Sequence, residues 1–239
     1  MPSQGRGRGF KSPHLHHAQV RFGGCGKDPG RCDQPNSSIP DRTVARESKI
    51  ERKTSETQVE VRLGLDGTGQ AGISTGIPFL DHMLEQVARH GWLDLEVRAR
   101  GDLQVDLHHT VEDVGICLGK ALRQALGDAA GIRRFGHAQV PMDESLVGVS
   151  LDLSGRPFLL SRVPRGVGGS GSFPVGLMEE FFRALSVHAG MTLHIHILWG
   201  RDPHHLMEAA FKAFGRALAE AVALEPRSRG VPSTKGVVD

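Results

Sequence analysis

The sequence predicts an α+β protein made by internal duplication of a β-β-α-β-α unit, with two mostly antiparallel sheets and helices packed on one face. Three observations point there. A five-residue signature occurs twice, as His108-His109-Thr110-Val111-Glu112 and His204-His205-Leu206-Met207-Glu208, each opening an apolar-periodic stretch. The order of strand-like and helix-like periods repeats around it. The spacings also agree: His82 to His90 and Glu180 to His188 both span 8 residues, while His82 to His108 spans 26 and Glu180 to His204 spans 24. A loop absorbs that difference. Tight turns between short strands do not suit a parallel βαβ design, which needs long crossovers.

Order is expected to begin near Ser55. Val59, Val61, Leu63 and Leu65 alternate with polar partners over 57–65, the pattern of a half-buried strand. Asp66-Gly67-Thr68-Gly69 reads as a hairpin turn, with 72–74 as the returning strand. Residues 79–90 have helical period, and Gly91 stands where a C-cap glycine is expected. Residues 93–99 form a strand with Leu93, Leu95 and Val97 on one face, and 101–107 connect it onward. Leu118, Leu122 and Leu126 mark a long helix over 110–126. The second half repeats the order: a strand over 146–153, a turn at Ser154-Gly155, a return over 157–161, a helix over 178–188, a strand over 192–198 and a long helix over 204–224. The repeats are therefore placed at about 55–136 and 137–225, followed by a tail, 226–239.

Residues 1–50 differ from the rest. They are rich in Gly, Pro, Ser, Arg and His and lack sustained periodicity, so they read as a disordered extension. Residues 1–53 hold 11 Lys/Arg against 5 Asp/Glu, a net of +6 that leaves −4 for the rest of a chain totalling +2. His14, His16 and His17 in this segment are weak metal candidates. The small overall charge demands neither nucleic acid nor a membrane surface. No apolar run reaches the roughly 18 residues of a membrane span, and no signal-peptide pattern is visible. The three cysteines, Cys25, Cys32 and Cys117, lack CxxC spacing, a profile that suits a reducing cytoplasm. Cys117 stands among Ile116, Leu118 and Leu122 and is expected to be a buried structural thiol.

The double histidines carry the chemistry. Neighbouring residues on a helix point about 100° apart, so His108 and His109 do not easily chelate one ion, whereas His108 and Glu112 share a face. His109 is therefore assigned to a different ion from the His108/Glu112 pair, and His205 to a different ion from His204/Glu208. Imidazoles with a carboxylate suit divalent Zn, Mn, Fe or Ni. The repeat adds His82 and, at the matching position, Glu180 as further candidate ligands. His194 and His196 alternate with apolar residues and are read as packed sheet histidines. Arg133-Arg134, Arg156, Lys212 and Pro232-Ser233-Thr234-Lys235-Gly236 together suit a phosphate. A small phosphorylated substrate beside a dimetal site follows from the set. A dimetal phosphate-ester hydrolase and a non-catalytic metal-binding assembly protein are the competing classes.

The stretches Phe79-Leu80-Asp81-His82-Met83-Leu84, Asp106-Leu107-His108-His109-Thr110-Val111-Glu112-Asp113, Gly131-Ile132-Arg133-Arg134-Phe135-Gly136, Pro141-Met142-Asp143-Glu144 and Asp152-Leu153-Ser154-Gly155-Arg156-Pro157 closely resemble imidazoleglycerol-phosphate dehydratases. So do the block from His204 to Lys212 and the run Pro232–Gly236. The resemblance implies a lyase of histidine biosynthesis that removes water from imidazole glycerol phosphate to give imidazole acetol phosphate. It implies a duplicated fold of the ribosomal protein S5 domain 2-like type, two Mn²⁺ per active site, and a homo-oligomer of 24 subunits with shared sites. Its metal ligands map onto His82, His108, His109, Glu112, Glu180, His204, His205 and Glu208; at Glu180 many members have His and others Glu. Its substrate contacts map onto Glu56, Gln86, His90, Arg134, Arg156, Lys212, Ser233 and Lys235. Glu56 is the expected acid/base, with Glu112 and Glu208 as rivals.

Overall fold

The computed structural model describes residues 45–164, 166–228 and 230–238. His14, His16, His17, Cys25 and Cys32, with most of the segment read as disordered, fall outside them. The first half runs β1 (Glu47–Lys53), β2 (Thr57–Gly64), β3 (Ala71–Ser74), α1 (Pro78–Gly91), β4 (Asp94–Gly101) and α2 (His108–Leu126). The second runs β5 (Phe135–Met142), β6 (Ser145–Asp152), β7 (Phe158–Arg162), the short pair β8 (Gly169–Ser170) and β9 (Phe173–Pro174), then α3 (Val175–Ala189), β10 (Thr192–Trp199) and α4 (Pro203–Val222). The duplication is present, but each half gains a leading strand that the sequence pattern did not reveal. Among the described residues no helix is long and apolar enough to cross a membrane.

The leading strand β1 corrects the expectation that order begins near Ser55. Its inward positions are Ser48, Ile50 and Arg52, so only one is apolar. The other two are satisfied by specific partners: Ser48 Oγ donates to Ala121 O at 2.8 Å, and Arg52 Nε to Asp113 Oδ1 at 2.7 Å. No hydrophobic alternation could show such a strand.

The expected hairpins after β2 and β6 are also corrected. The sheet orders are β1-β2-β4-β3 and β5-β6-β10-β7. β3 lies parallel to β4, and β7 parallel to β10, so each returning segment crosses to the far side of the sheet instead of folding back on its predecessor. Asp94, at the start of β4, directs the first crossing: its Oδ1 accepts from Thr68 N at 2.8 Å and Gln70 N at 3.0 Å. Antiparallel pairs still outnumber parallel ones in both sheets.

Each sheet covers one face with helices, and the helices of the two halves face one another, α2 against α3 and α1 against α4. Glycines permit the close approach. A Cβ on Gly119 would lie 2.6 Å from Leu185 O, and one on Gly115 2.7 Å from Phe181 O. Gly91 and Gly215 do the same where α1 crosses α4. Gly91 is thus a packing residue, and the expected C-cap role passes to Trp92, which takes the left-handed conformation at φ 55°. Phe181 and Phe182 of α3 and Phe211 and Phe214 of α4 are fully buried and form one aromatic cluster, with ring centroids 4.8–5.4 Å apart.

Candidate metal centre

The seam between halves brings the helix starts together. Asp106 Oδ1 accepts from His108 N at 2.8 Å just ahead of α2, and Asp202, the N-cap of α4, accepts from His204 N at 2.7 Å, so each double histidine follows an aspartate bonded to its first amide. Asp81 fixes the approach to α1 by accepting from Thr75 N at 2.8 Å and from its hydroxyl at 2.5 Å.

Two clusters result. His82, His204 and Glu208 offer ligand atoms within 4.8 Å of one another, and so do His108, Glu112 and Glu180. Each draws on both halves: α1 with α4 in the first, α2 with α3 in the second. His82 and Glu180, paired by the repeat, occupy matching places. In the first cluster Glu208 Oε2 lies 3.1 Å from His204 Nε2 and 3.4 Å from His82 Nε2, while Lys212 Nζ holds Oε1 at 2.7 Å. Burial pushes the Glu208 carboxyl up, but the hydrogen bond and charge of Lys212 and the nearness of His82 outweigh it and hold it below its ordinary value. Gln86 approaches His82 Nδ1 at 3.4 Å, and Ser170 Oγ approaches His204 Nδ1 at 3.2 Å. In the second cluster His108 Nε2 and Glu112 Oε2 are 4.0 Å apart, and Arg183 pairs with both Glu180 and Glu112.

His109 and His205 belong to neither cluster. Their rings stand at 85° and 89° to those of His108 and His204, with centroids 6.1 Å apart in both pairs. His109 Nδ1 faces Asp102 Oδ2 at 3.0 Å and Glu56 Oε2 at 3.8 Å. His205 Nδ1 faces Glu144 Oε2 at 2.8 Å. Glu144 also accepts from Asp202 N, Arg201 N and Ser145 Oγ at 2.8–3.1 Å. The Asp202 amide, His205 and the Arg201 amide together hold its carboxyl far below the usual carboxylate range. Asp102 and Glu144 in turn raise the His109 and His205 imidazoles. Such carboxylate partners fix ring orientation and tautomer in metal-ligating histidines.

The phosphate candidates divide into two groups. Arg134, Arg156, Pro232, Ser233, Thr234 and Lys235 line an open cavity of about 500 Å³. Arg134 is anchored there, donating to both oxygens of Asp152 at 2.6 and 3.0 Å and to Pro232 O at 2.8 Å. Lys212 belongs with the first metal cluster instead. Half-buried His90 feels the charges of Lys212 and Glu208, and burial is the main reason its imidazole is held down. His194 and His196 stack on the sheet surface with centroids 6.1 Å apart. Sequence reasoning gave no role to Asp102, Glu144, Ser170 or Arg183. The repeat held a signal for one: Glu144 precedes β6 as Glu56 precedes β2.

The family model for imidazoleglycerol-phosphate dehydratase matches residues 75–218. The chain belongs to the imidazoleglycerol-phosphate dehydratase family. The dehydratase of Moorella thermoacetica is 55% identical over 195 residues, 82% of this chain and 100% of that protein. That of Heliobacterium modesticaldum is 60% identical over 188 residues, 78% of this chain and 96% of its own length. Among solved structures, the imidazoleglycerol-phosphate dehydratase of Staphylococcus aureus matches with TM-score 0.68 at 37% identity, covering 75% of this chain and 99% of that one. The Pyrococcus furiosus enzyme matches with TM-score 0.69 at 39% identity, covering 79% and 99%. Both three-residue clusters lie inside the segment matched by the dehydratase family model, whereas Glu56, Ser233 and Lys235 lie outside it.

Proposed function

We propose that this chain dehydrates D-erythro-imidazole glycerol phosphate to imidazole acetol phosphate, as its family membership implies, and that it does so at a dimetal site closed by neighbouring copies. The activity is that of a lyase in histidine biosynthesis. The observation that supports the site is the pair of His/Glu clusters, each drawn from both halves. Their mix of imidazole and carboxylate suits Mn²⁺. His82, His204 and Glu208 would hold one ion, and His108, Glu112 and Glu180 the other. His109 and His205, turned away from both, would serve a neighbour's ions, so a homo-oligomer follows. A cytoplasmic location suits a biosynthetic enzyme of this kind.

When bound, the ions would supply Lewis acidity to the substrate's imidazole ring. The hydroxyl on the carbon next to the ring leaves as water. Glu56 takes the proton from the next carbon along, and the resulting enol becomes the ketone. Glu56 suits this part because it is 53% exposed and only loosely placed, 3.8 Å from His109. Lys212 orients Glu208 and keeps it ionised. Arg134, Arg156, Ser233 and Lys235 would bind the phosphate, with Gln86 and His90 near the ring site. The hydrolase alternative has no support among the relatives. The test is an assay on chelator-stripped protein with Mn²⁺ restored. A keto product without phosphate release is expected; phosphate release without a keto product would overturn the assignment.

A further inference from the structure

The two clusters differ in charge. The first pairs two imidazoles with one carboxylate, and the second one imidazole with two carboxylates. The repeat that superposes His82 on Glu180 also superposes Glu85 on Arg183, three residues further along each helix. In the first half that position is acidic, with Glu85 Oε2 3.9 Å from His82 Nδ1. In the second half it is the guanidinium of Arg183.

The carboxylates are therefore held differently. Glu208 gives only Oε1 to Lys212 and keeps Oε2 turned to both histidines. Glu180 gives both oxygens to Arg183: Nε donates to Oε2 at 3.1 Å, and Nη2 donates to Oε1. The same Nη2 reaches Glu112 Oε1 at 3.5 Å. A bidentate Arg–carboxylate pair is the geometry in which arginine holds an acid most firmly. One oxygen of Glu180 must be released before it can ligate anything else.

We propose that Arg183 is a built-in counter-cation of the second metal position. It competes for Glu180 and Glu112 and opposes the incoming ion, so the second position binds metal more weakly than the first. This rests on the ligand assignment made above. Arg183 is 53% exposed, so its replacement leaves the core intact.

The test is a Mn²⁺ titration of the stripped, assembled full chain, read by calorimetry and by the EPR signal of free Mn²⁺. Wild type should show a tighter and a weaker class of site, with His82→Gln affecting the tighter and Glu180→Gln the weaker. Arg183→Gln should tighten the weaker class by about tenfold or more, the effect of removing a unit positive charge a few ångströms from a divalent ion even under near-aqueous screening. It should leave the tighter class unchanged. Arg183→Lys, which keeps the charge, should retain most of the gap. If Arg183→Gln weakens the second class or leaves it unmoved while Glu180→Gln still removes it, the counter-cation role is wrong and the ligand set stands. If Glu180→Gln leaves both classes intact, the ligand assignment itself fails.

Discussion

The two halves share one backbone plan yet hold their matching side chains differently. Glu56 and Glu144 each stand one residue before a central strand, and each faces the second histidine of a double-histidine motif. Glu144 is locked by two backbone amides, a serine hydroxyl and His205. Among the described residues the Glu56 carboxylate has only a distant neighbour in His109, whose ring faces Asp102 more closely, at 3.0 Å. Duplication thus yields two carboxylates at matching positions, one bound into the scaffold and one that we propose serves proton transfer. Symmetry of fold does not impose symmetry of role.

The sharpest way to break this contrast is to remove each carboxylate in turn. Glu56→Gln should lower turnover by about 10²-fold or more, the range for a lost general base, while Mn²⁺ affinity stays near wild type. Unchanged turnover with Mn²⁺ saturating would return the acid/base role to Glu112 or Glu208. Glu144→Gln should do the reverse. Its metal affinity should fall about 10- to 100-fold, as when an outer partner of a ligating histidine is lost, and excess Mn²⁺ should restore activity. A turnover defect that added metal does not rescue would erase the distinction between the two residues.

The seam that joins the halves offers a milder perturbation. Gly119→Ala places a methyl 2.6 Å from Leu185 O, so α2 and α3 must separate. A loss of about 1–3 kcal/mol in denaturant unfolding is expected, with weakened metal binding at the cluster containing Glu180. Wild-type stability would mean that the helices do not meet as closely as the glycines indicate. The smallest effect concerns Cys117. Burial pushes its thiol up to about 11. The folded state disfavours the thiolate, so this group's contribution to stability is intact below about pH 9 and is lost as pH rises towards 11. At pH 8 Cys117 should react with a thiol reagent only after unfolding; rapid labelling of Cys117 itself in the native protein, read by peptide mapping, would contradict its burial.

Much of this was legible in the sequence, and the exceptions have physical causes. The four helices α1–α4 and the strands β2, β4, β6 and β10 lie within about three residues of where the pattern placed them. β1 escaped because Ser48 and Arg52 face inward and are satisfied by Ala121 and Asp113, partners far along the chain. The crossovers escaped because Asp66–Gly69 has the composition of a hairpin, and only the distant Asp94 redirects it. Gly91 looked like a cap because a glycine at a helix end and a glycine at a helix crossing are the same letter. At the site, the double histidines were legible from spacing alone. Asp102 and Glu144 were not, since each acts through a contact that the tertiary fold creates; Arg183 meets Glu180 one turn along its own helix but reaches Glu112 only through the fold.

The two metal positions we propose per chain, each assembled from both halves, are tested most directly by counting Mn²⁺ bound per chain at the concentration that just saturates wild type. Two ions are expected for wild type, one for His82→Gln and one for His108→Gln. A single ion in wild type, or the loss of both from either substitution, would contradict the account.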